Sequence, residues 1–347
     1  MEVKIGNKTL NEKDSCLIAL EPSATYNNVN EAKNMIKASA MAGADCIKFQ
    51  TFLIGDADRI MGNKDIKIKF TTNSGKKEEL VYDALKRREL SETEWKELIE
   101  YSNEQNILFI TAPYFPETVE FLSKCKVDAL KVSKGDINNV LLIDAMAKTN
   151  KPIILDSREK FSDVQKAIKI CEENNNYQII IMHCPSGYPA ENSGVHLRAI
   201  TEIKKQYDYP VGFADHSPGD LMNYGAIAMG VKMIEKTITL DKNTENVEHF
   251  MSLELNELKD FINNVHSLED AMGDPNIILT SRVEENARRS LVAKRDIFKD
   301  EKISLDMLDF KRPGNSGISC SEGFLILGGK ALEHIEKGTF IQKNMIE

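Results

Sequence analysis

The sequence has no apolar run that approaches the roughly 18 residues a membrane-spanning helix needs. Its N-terminal stretch, MEVKIGNKTLNEKDS, is polar and lacks the apolar core of a signal peptide. The six cysteines form no CxxC pair and follow no regular spacing, so they indicate neither a zinc site nor a disulfide framework. We therefore expect a cytoplasmic protein with no membrane segment and with reduced thiols.

Two further absences narrow the function. The formal net charge is -9 and no basic stripe offsets it, which argues against general binding of nucleic acid. A short glycine-rich phosphate loop such as GxGxxG is also missing, which disfavours a dinucleotide-binding doubly wound sheet. An acidic chain can still bind a small anion, because one site can be locally positive.

What the sequence does contain is a repeated alternation of short apolar runs and helix-length segments. Eight strands are predicted, at 16–21, 45–50, 107–111, 129–133, 152–156, 178–183, 211–214 and 232–237. Each is followed by a helical segment, and the last of these covers 255–272. Such a series of β-α units favours a (β/α)8 TIM barrel, an α/β fold, over an open doubly wound sheet.

The pattern changes near residue 274. The barrel is predicted to cover residues 1–276, followed by a linker at 277–287 and a small β-rich domain at 288–347. This last domain would bury little apolar surface alone, so we expect it to dock on the barrel or on a neighbouring subunit. A polar insertion at 53–86 interrupts the barrel pattern and is interpreted as a functional lid.

Active groups of such barrels gather at the C-terminal ends of the strands. Those ends carry Glu21, Lys48 with Gln50, Thr111, Lys131 with Lys134, Asp156 with Arg158, His183, Asp215 with His216, and Glu235 with Lys236. Several cations at one mouth indicate an anionic ligand with a carboxylate or phosphate group. The alternative for any single lysine is a solvated side chain.

Two of these residues, His183 and His216, and the neighbouring Cys184 allow more than one interpretation. A lone histidine at a strand end is more often a hydrogen-bonded core residue than a ligand, and both interpretations stay open for His183. Cys184 beside it suggests a nucleophile, but no activating arrangement is visible. His216 follows an acidic residue at a turn and can bind a metal through neutral imidazole, although no second histidine stands at helical or loop spacing.

The strand ends lie within longer motifs that are specific when taken together. These are GADCIKFQTF (43–52), ITAPYF (110–115), LKVSKGDINN (130–139), MHCPSGYPA (182–190), VGFADHSPG (211–219), GVKMIEKTITLD (230–241) and EHFMSLE (248–254). With them the chain resembles the sialic acid synthases, which condense phosphoenolpyruvate with an N-acylated hexosamine to give nonulosonic acids. The last domain, with RRSLVAKRDI and DFKRPGNSGIS, resembles the antifreeze-like (SAF) domain of these enzymes.

The resemblance implies a barrel and a SAF domain that is swapped across a homodimer. It also implies a divalent metal, Mn²⁺ or Mg²⁺, that orients the open-chain aldehyde of the sugar. Phosphoenolpyruvate would lie among lysines and hydroxyls, and its C3 would attack the aldehyde carbon. Water would attack C2 before phosphate leaves.

Residue assignments follow from the same resemblance. Positions matching the phosphoenolpyruvate site are Lys48, Gln50, Thr111, Lys131, Asn138 and Ser186, and sugar-side positions are Tyr188, Glu248 and Arg312, with Arg312 contributed by the partner subunit. His216 matches a metal ligand. The predicted catalytic set is Glu21, Lys48, Lys131, Lys134 and His183, and Asp136 and Arg158 complete the substrate-binding set.

Several positions depart from the family pattern, and they cluster on the catalytic face. The family's second metal-binding histidine falls on Thr237, whose hydroxyl is a poor manganese ligand, so metal binding should be severely weakened. A phosphate-site serine becomes Lys134, and a small Ser-Thr-Gly turn becomes Asp156-Ser157-Arg158. Ungapped alignment places Leu20 at the family's strand-end glutamate, with Glu21 one position late.

These departures lead to one preferred hypothesis and two alternatives. The preferred hypothesis is a divergent synthase with a more anionic acceptor or altered metal use, because Lys134 and Arg158 add cations. In the first alternative Lys134 forms a Schiff base and the reaction is aldolase-like. In the second, the protein is a pseudoenzyme that has lost the metal site and acts as a binding partner.

Overall fold

The computed structural model describes residues 1–11, 14–157, 161–273 and 286–347. The chain divides into two compact units, Met1–Met272 and Gly273–Glu347. Most of the predicted linker at 277–287 lies outside the described residues. No described helix is long and apolar enough to cross a membrane.

The first unit is a closed parallel barrel, as predicted. A short hairpin, β1 (Val3–Ile5) and β2 (Lys8–Leu10), and an inserted hairpin, β5 (Lys67–Thr72) and β6 (Gly75–Leu80), lie outside the barrel wall. The wall strands are β3 (Leu17–Glu21), β4 (Cys46–Gln50), β7 (Leu108–Ala112), β8 (Ala129–Val132), β9 (Ile153–Asp156), β10 (Ile179–His183), β11 (Val211–Asp215) and β12 (Met233–Thr239). Each pairs in parallel with the next, and β12 pairs with β3 to close the barrel. A short β13 (Leu253–Glu254) extends from β12.

Helices follow the strands in the order that the sequence predicts. They are α1 (Val29–Ala42), α2 (Asp56–Ile60), α3 (Val81–Lys86), α4 (Glu92–Glu104), α5 (Pro116–Ser123), α6 (Val140–Ala147), α7 (Phe161–Glu173), α8 (Asn192–Val195), α9 (Ala199–Gln206), α10 (Leu221–Ala228) and α11 (Leu258–Met272). Their ends have local causes. Ser91 and Glu94 form the predicted capping box of α4, and Gly43 ends α1 with a φ of 95°, which glycine adopts without a steric penalty.

Strand alternation divides the wall residues between two apolar layers. Leu17 and Ala19 belong to the cluster that fills the barrel interior, whereas Ile18 and Leu20 belong to the layer between strands and helices. Successive strand residues point to opposite faces, so Glu21 continues the inward series at the C-terminal end of β3. The same alternation determines which charged side chains at the other strand ends face the barrel mouth.

The N-terminal hairpin was missed by the sequence interpretation, which treated the segment only as polar. Val3, Ile5 and Leu10 are fully buried and belong to the interior cluster of the barrel. Together these three side chains are a substantial apolar addition, since complete burial of one aliphatic side chain contributes about 1.5–3 kcal/mol. The hairpin therefore forms part of the barrel core.

The insertion at 53–86 is folded and packs against the barrel's C-terminal loops. Phe70 of β5 is buried in a small cluster with Ala24 and Val247, and Tyr188 packs against this cluster. Glu79 of β6 accepts a hydrogen bond from the backbone nitrogen of Val247 at 3.3 Å. The insertion thus contacts the loop that carries Glu248 and a residue of the barrel mouth.

The second unit has its own small core. Its strands β14 (Ser290–Ala293) and β15 (Leu308–Lys311) pair antiparallel, and a one-turn helix α12 covers Gly323–Ile326. The core includes Leu291, Ile297, Ile303, Ile318 and Ile341. This unit also exposes Phe324 and Leu325, which are 91% and 81% accessible.

Candidate active site

A cavity of about 230 Å³ opens at the C-terminal ends of the barrel strands. It is lined by eight members of the predicted catalytic, substrate-binding and metal sets: Glu21, Lys48, Gln50, Lys131, Lys134, Asp136, Tyr188 and His216. Glu21 lines the cavity although ungapped alignment placed Leu20 at the family's glutamate. Leu20 packs in the outer layer, so strand alternation leaves Glu21 as the inward carboxylate of β3.

Two buried lysine–glutamate pairs form the base of the site. Lys48 Nζ pairs with Glu21 Oε1, and Lys131 Nζ lies 2.6 Å from Glu235 Oε1. Lys48 Nζ also lies 3.6 Å from Glu235 Oε1, which joins the two pairs. All four side chains are at most 5% exposed. Each ammonium has three N–H donors, so donors remain for a ligand.

The first pair is ionised throughout the neutral pH range. Burial alone would raise the pKa of Glu21, but the charges of Lys48 and Lys131 outweigh it and hold the pKa at about 2. Burial alone would lower the pKa of Lys48, but Glu21 and Glu235 raise it above the usual lysine value. The cavity therefore presents fixed ammonium and carboxylate charges.

Lys134 differs from the other two lysines of the cavity. Within the described residues, no carboxylate oxygen lies within 4.0 Å of its ammonium. It belongs to the short 3-10 turn after β8, together with Asp136, whose pKa is raised by burial. Lys134 is therefore a cation of the cavity that the described carboxylates leave unneutralised.

The structure does not place Thr111 or His183 among the residues that line the cavity. Thr111 lies on the outer face of β7 with Phe109, and its hydroxyl is 2.6 Å from that of Thr51. His183 Nε2 lies 2.7 Å from the carbonyl oxygen of Val195, again outside the barrel wall. Successive strand residues point to opposite faces, and both residues occupy positions that point away from the barrel interior.

Lys236 and Asp215 are a second correction to the list of strand-end groups. Lys236 is fully buried, and its Nζ lies 2.8 Å from Asp215 Oδ2. Asn223 of α10 donates to the same carboxylate at 2.7 Å, which places the pair between the barrel wall and the helices. Lys236 is therefore not one of the mouth cations.

The other predicted substrate-binding residues have different surroundings. Asn138 and Ser186 are exposed and do not line the cavity. Glu248 is buried, and its Oε2 accepts a hydrogen bond from the backbone nitrogen of Ala24 at 2.8 Å. Burial and the charge of Glu21 raise the pKa of Glu248. Arg312 belongs to the second unit, and Arg158 lies outside the described residues.

The residues at His216 do not fit the metal site that the resemblance implies. Thr237 continues the inward series of Glu235, pairs in register with Glu21, and has a buried hydroxyl with no hydrogen-bond partner in the described chain. No group of three or more His, Cys, Asp or Glu among the described residues has the geometry of a metal site. A threonine hydroxyl in place of imidazole does not complete a two-histidine site.

Glu235 and Asp156 also line the cavity; both were named among the strand-end groups but neither was assigned to the catalytic or substrate-binding set. Glu235 joins both lysines. Tyr114, which the sequence interpretation did not name, donates to Gln50 Oε1 at 2.9 Å. Period-two counting along β12 would have separated Glu235 from Lys236 as the inward-facing residue, since Glu235 shares a face with Met233 and Thr237. Tyr114 follows β7 in a loop, where no periodic pattern indicates the direction of a side chain.

A closed parallel barrel with buried charges at the C-terminal strand ends is the arrangement of barrel enzymes. The NeuB family profile matches residues 35–276, and the SAF domain profile matches residues 288–347. The chain belongs to the NeuB family and ends in a SAF domain.

Named relatives are similar over nearly their whole length. The N,N'-diacetyllegionaminic acid synthase of Campylobacter jejuni is 32% identical, over 94% of this chain and 99% of that protein. A pseudaminic acid synthase from Campylobacter jejuni is 31% identical, over 99% of both. The crystal structure of an N-acetylneuraminic acid synthetase from Leptospira borgpetersenii, in complex with citrate, has a TM-score of 0.73 and 26% identity, covering 83% of this chain and 95% of that one.

Proposed function

We propose that this protein condenses phosphoenolpyruvate with the aldehyde of an N-acylated hexosamine to form a nonulosonic acid. The observation that carries the proposal is the pair of buried ammonium groups, Lys48 and Lys131, fixed by Glu21 and Glu235 in the barrel mouth. These charges suit a small acid with carboxylate and phosphate groups. The named relatives catalyse this class of synthesis, which supports the proposal.

The cavity volume constrains how two substrates bind. Its 230 Å³ is below the roughly 300–1,000 Å³ of sites for drug-sized ligands. It therefore suits phosphoenolpyruvate and the reacting end of the acceptor, while the remainder of the sugar extends outward past Tyr188. That arrangement leaves the acceptor's distal groups near the loops at the mouth.

In the proposed reaction a bond forms between C3 of phosphoenolpyruvate and the aldehyde carbon. The electrons of the aldehyde double bond go to its oxygen, which takes up a proton. Water adds to C2, and the bond between C2 and the bridging oxygen breaks to release phosphate. The water oxygen becomes the C2 carbonyl oxygen, and its two protons balance the one taken up by the aldehyde oxygen and the one that leaves on the phosphate. Lys48 and Lys131 stabilise the negative charges of the carboxylate and the departing phosphate throughout, since fixed charges need no reorganisation during the reaction.

We further propose that Lys134 binds an anionic group on the acceptor. Lys134→Ala is expected to raise the KM for an N-acylated hexosamine 6-phosphate about tenfold or more, and that for the unphosphorylated sugar less than about threefold. This follows because a hydrogen bond to a charged group contributes about 1.5–3 kcal/mol. Phosphate release measures both reactions, and Lys134→Arg is the charge-preserving control. An equal rise in KM for the two acceptors would show that Lys134 does not bind the anionic group.

The Schiff-base alternative predicts a covalent bond between Lys134 and a carbonyl substrate. Borohydride reduction in the presence of the acceptor, followed by peptide mass spectrometry, distinguishes it from the condensation. A reduced adduct on Lys134 supports aldolase-like chemistry. An unmodified Lys134, with phosphate release intact, supports ionic binding.

A second candidate function is that of a binding homologue without turnover. The observation that favours it is Thr237, which leaves His216 without the second histidine expected beside it. Such a protein would bind phosphoenolpyruvate at Lys48 and Lys131 but release no phosphate with any acceptor. Calorimetric binding together with a phosphate assay separates the two functions.

The exposed apolar side chains of both units support a homodimer. Ile54, Leu141 and Leu221 follow barrel strands and are 70%, 75% and 68% accessible, and the second unit exposes Phe324 and Leu325. Within each unit, exposed apolar side chains of this size are candidates for burial at an interface. Together with the resemblance to the sialic acid synthases, this leads us to propose a homodimer with exchanged SAF domains, in which Arg312 of the partner subunit completes the sugar side. Sedimentation of the full chain at twice the monomer mass is expected, and a clean monomer refutes it.

A further inference from the structure

Arg88 is a buried cation that forms no direct ion pair with a described carboxylate. Burial raises the pKa of the nearby Glu248, and the charge of Arg88 partly opposes this rise. It follows α3 at the end of the insertion and is 6% exposed. Its Nε donates to the carbonyl oxygen of Ala84 at 2.8 Å, and its guanidinium carbon lies 4.8 Å from the ring centroid of Phe52. No carboxylate oxygen of the described residues lies within 4.0 Å. Burial of a permanent charge costs free energy. Because no ion pair offsets that cost here, the reason for the burial of Arg88 lies in the other contacts of its guanidinium.

The remaining contact of Arg88 reaches the cavity. Its Nη1 donates to Gln50 Oε1 at 3.3 Å, and the hydroxyl of Tyr114 donates to the same oxygen at 2.9 Å. At the other end of the amide, Gln50 Nε2 donates to Ser23 Oγ at 2.9 Å and to Glu21 Oε1 at 3.3 Å. Gln50 therefore connects Arg88 to the carboxylate that pairs with Lys48.

This chain of hydrogen bonds fixes the orientation of the amide. A guanidinium has donors only, so it requires the oxygen of Gln50 on its own side. The Tyr114 hydroxyl can donate or accept and would tolerate either orientation. Rotation of the amide by half a turn would place its oxygen against the carboxylate of Glu21. Arg88, which only donates, and the ionised carboxylate of Glu21, which only accepts, together exclude this arrangement.

We propose that Arg88 is a positioning residue that orients Gln50 and, through it, holds Glu21 beside Lys48. The expected effect on kcat rests on the proposed function, whereas the orientation of Gln50 by Arg88 does not. Arg88 is anchored to α3 of the insertion through its hydrogen bond to the carbonyl oxygen of Ala84. By this role of Arg88, the insertion at 53–86 helps to position the side chains of the cavity. The insertion thus reaches Gln50, on the proposed phosphoenolpyruvate side, through Arg88. It reaches Tyr188 through the apolar cluster around Phe70.

Arg88→Met is expected to lower kcat with phosphoenolpyruvate by about 10- to 100-fold, because small displacements of positioned groups have effects of this size. The KM for phosphoenolpyruvate is expected to change less than about threefold, since Lys48 and Lys131 remain. Arg88→Lys keeps a donor-only cation and should recover part of the loss. The matched control is Arg59→Met, which removes an exposed insertion arginine that stacks on Phe115 and does not reach the cavity.

A readout independent of turnover is the side-chain amide signal of Gln50 in protein labelled with ¹⁵N-glutamine, assigned with Gln50→Ala. Arg88→Met should shift this signal and increase its exchange with water, whereas Arg59→Met should leave it unchanged. An unchanged Gln50 signal in folded Arg88→Met, or an unchanged kcat in an active enzyme, overturns the proposal. If wild-type protein has no turnover but Arg88→Met moves the signal, the positioning role stands and the proposed function fails.

Discussion

Lys131→Met is expected to lower kcat/KM for phosphoenolpyruvate by about 10²–10³-fold, the effect of removing one preorganised charge-stabilising donor. Lys131 Nζ lies 2.6 Å from Glu235 Oε1 at the base of the cavity, so the variant loses both a substrate cation and the partner of a buried glutamate. Steady-state phosphate release measures the kinetic loss. Wild-type kcat/KM in folded Lys131→Met would contradict the site described here.

The same substitution has a stability component that must be separated from catalysis. Breaking a buried ion pair by removing one partner costs about 3–5 kcal/mol. The lower end is expected here, because Lys48 Nζ remains 3.6 Å from Glu235 Oε1. The control is the double variant Lys131→Met/Glu235→Gln, which removes both charges. Its free energy of unfolding should recover relative to Lys131→Met, while its activity should not.

Thr237→His is expected to increase the affinity for Mn²⁺ at least tenfold. The substitution places a second imidazole on the inward face of β12, in register with Glu21 and one strand from His216. Imidazole is a good ligand for divalent transition metals and a threonine hydroxyl is not. Calorimetric titration of metal-stripped protein measures the change without requiring turnover.

The control for this variant is Thr237→Val, which removes the hydroxyl at nearly constant volume. It should bind Mn²⁺ no more tightly than the wild type. Equal Mn²⁺ affinity in Thr237→His and wild type would show that the threonine does not limit metal binding. A gain of turnover in Thr237→His over inactive wild-type protein would instead support the binding-homologue interpretation.

The barrel was predictable from the sequence because its wall strands are short apolar runs separated by capped amphipathic helices. The capping box at Ser91 and the glycine stop at Gly43 both appear in the structure as expected. The N-terminal hairpin also had a signal, the Gly6-Asn7 pair between two short alternating segments. It was missed because a polar composition was given more weight than that turn.

The direction of side chains at the strand ends was less well predicted. Lys236 and Glu235 are adjacent in the sequence, yet one pairs with Asp215 behind the wall and the other joins two lysines in the mouth. Strict period-two counting assigns them correctly, whereas proximity to a strand end does not. Thr111 and His183 were predicted at the site from the same proximity, and their outward positions keep them off the cavity lining.

Arg88 shows what no local pattern could reveal. It stands beside Arg87 in the sequence, but Arg87 pairs with Glu79 while Arg88 is buried against Phe52 and Gln50. This difference arises from how the insertion packs on the barrel, which brings together residues 38 positions apart. Neither charge nor periodicity distinguishes the two arginines before the chain is folded.

The most direct test of the central claim uses phosphoenolpyruvate with ¹⁸O at the oxygen that bridges C2 and phosphorus. Phosphate release is expected only in the presence of an N-acylated hexosamine acceptor, with the ¹⁸O in the released phosphate, because the bond from C2 to that oxygen breaks. Mass spectrometry of the phosphate reads out both points. Unlabelled phosphate, release without acceptor, or no release at saturating phosphoenolpyruvate with either an N-acylated hexosamine or its 6-phosphate would contradict this reaction.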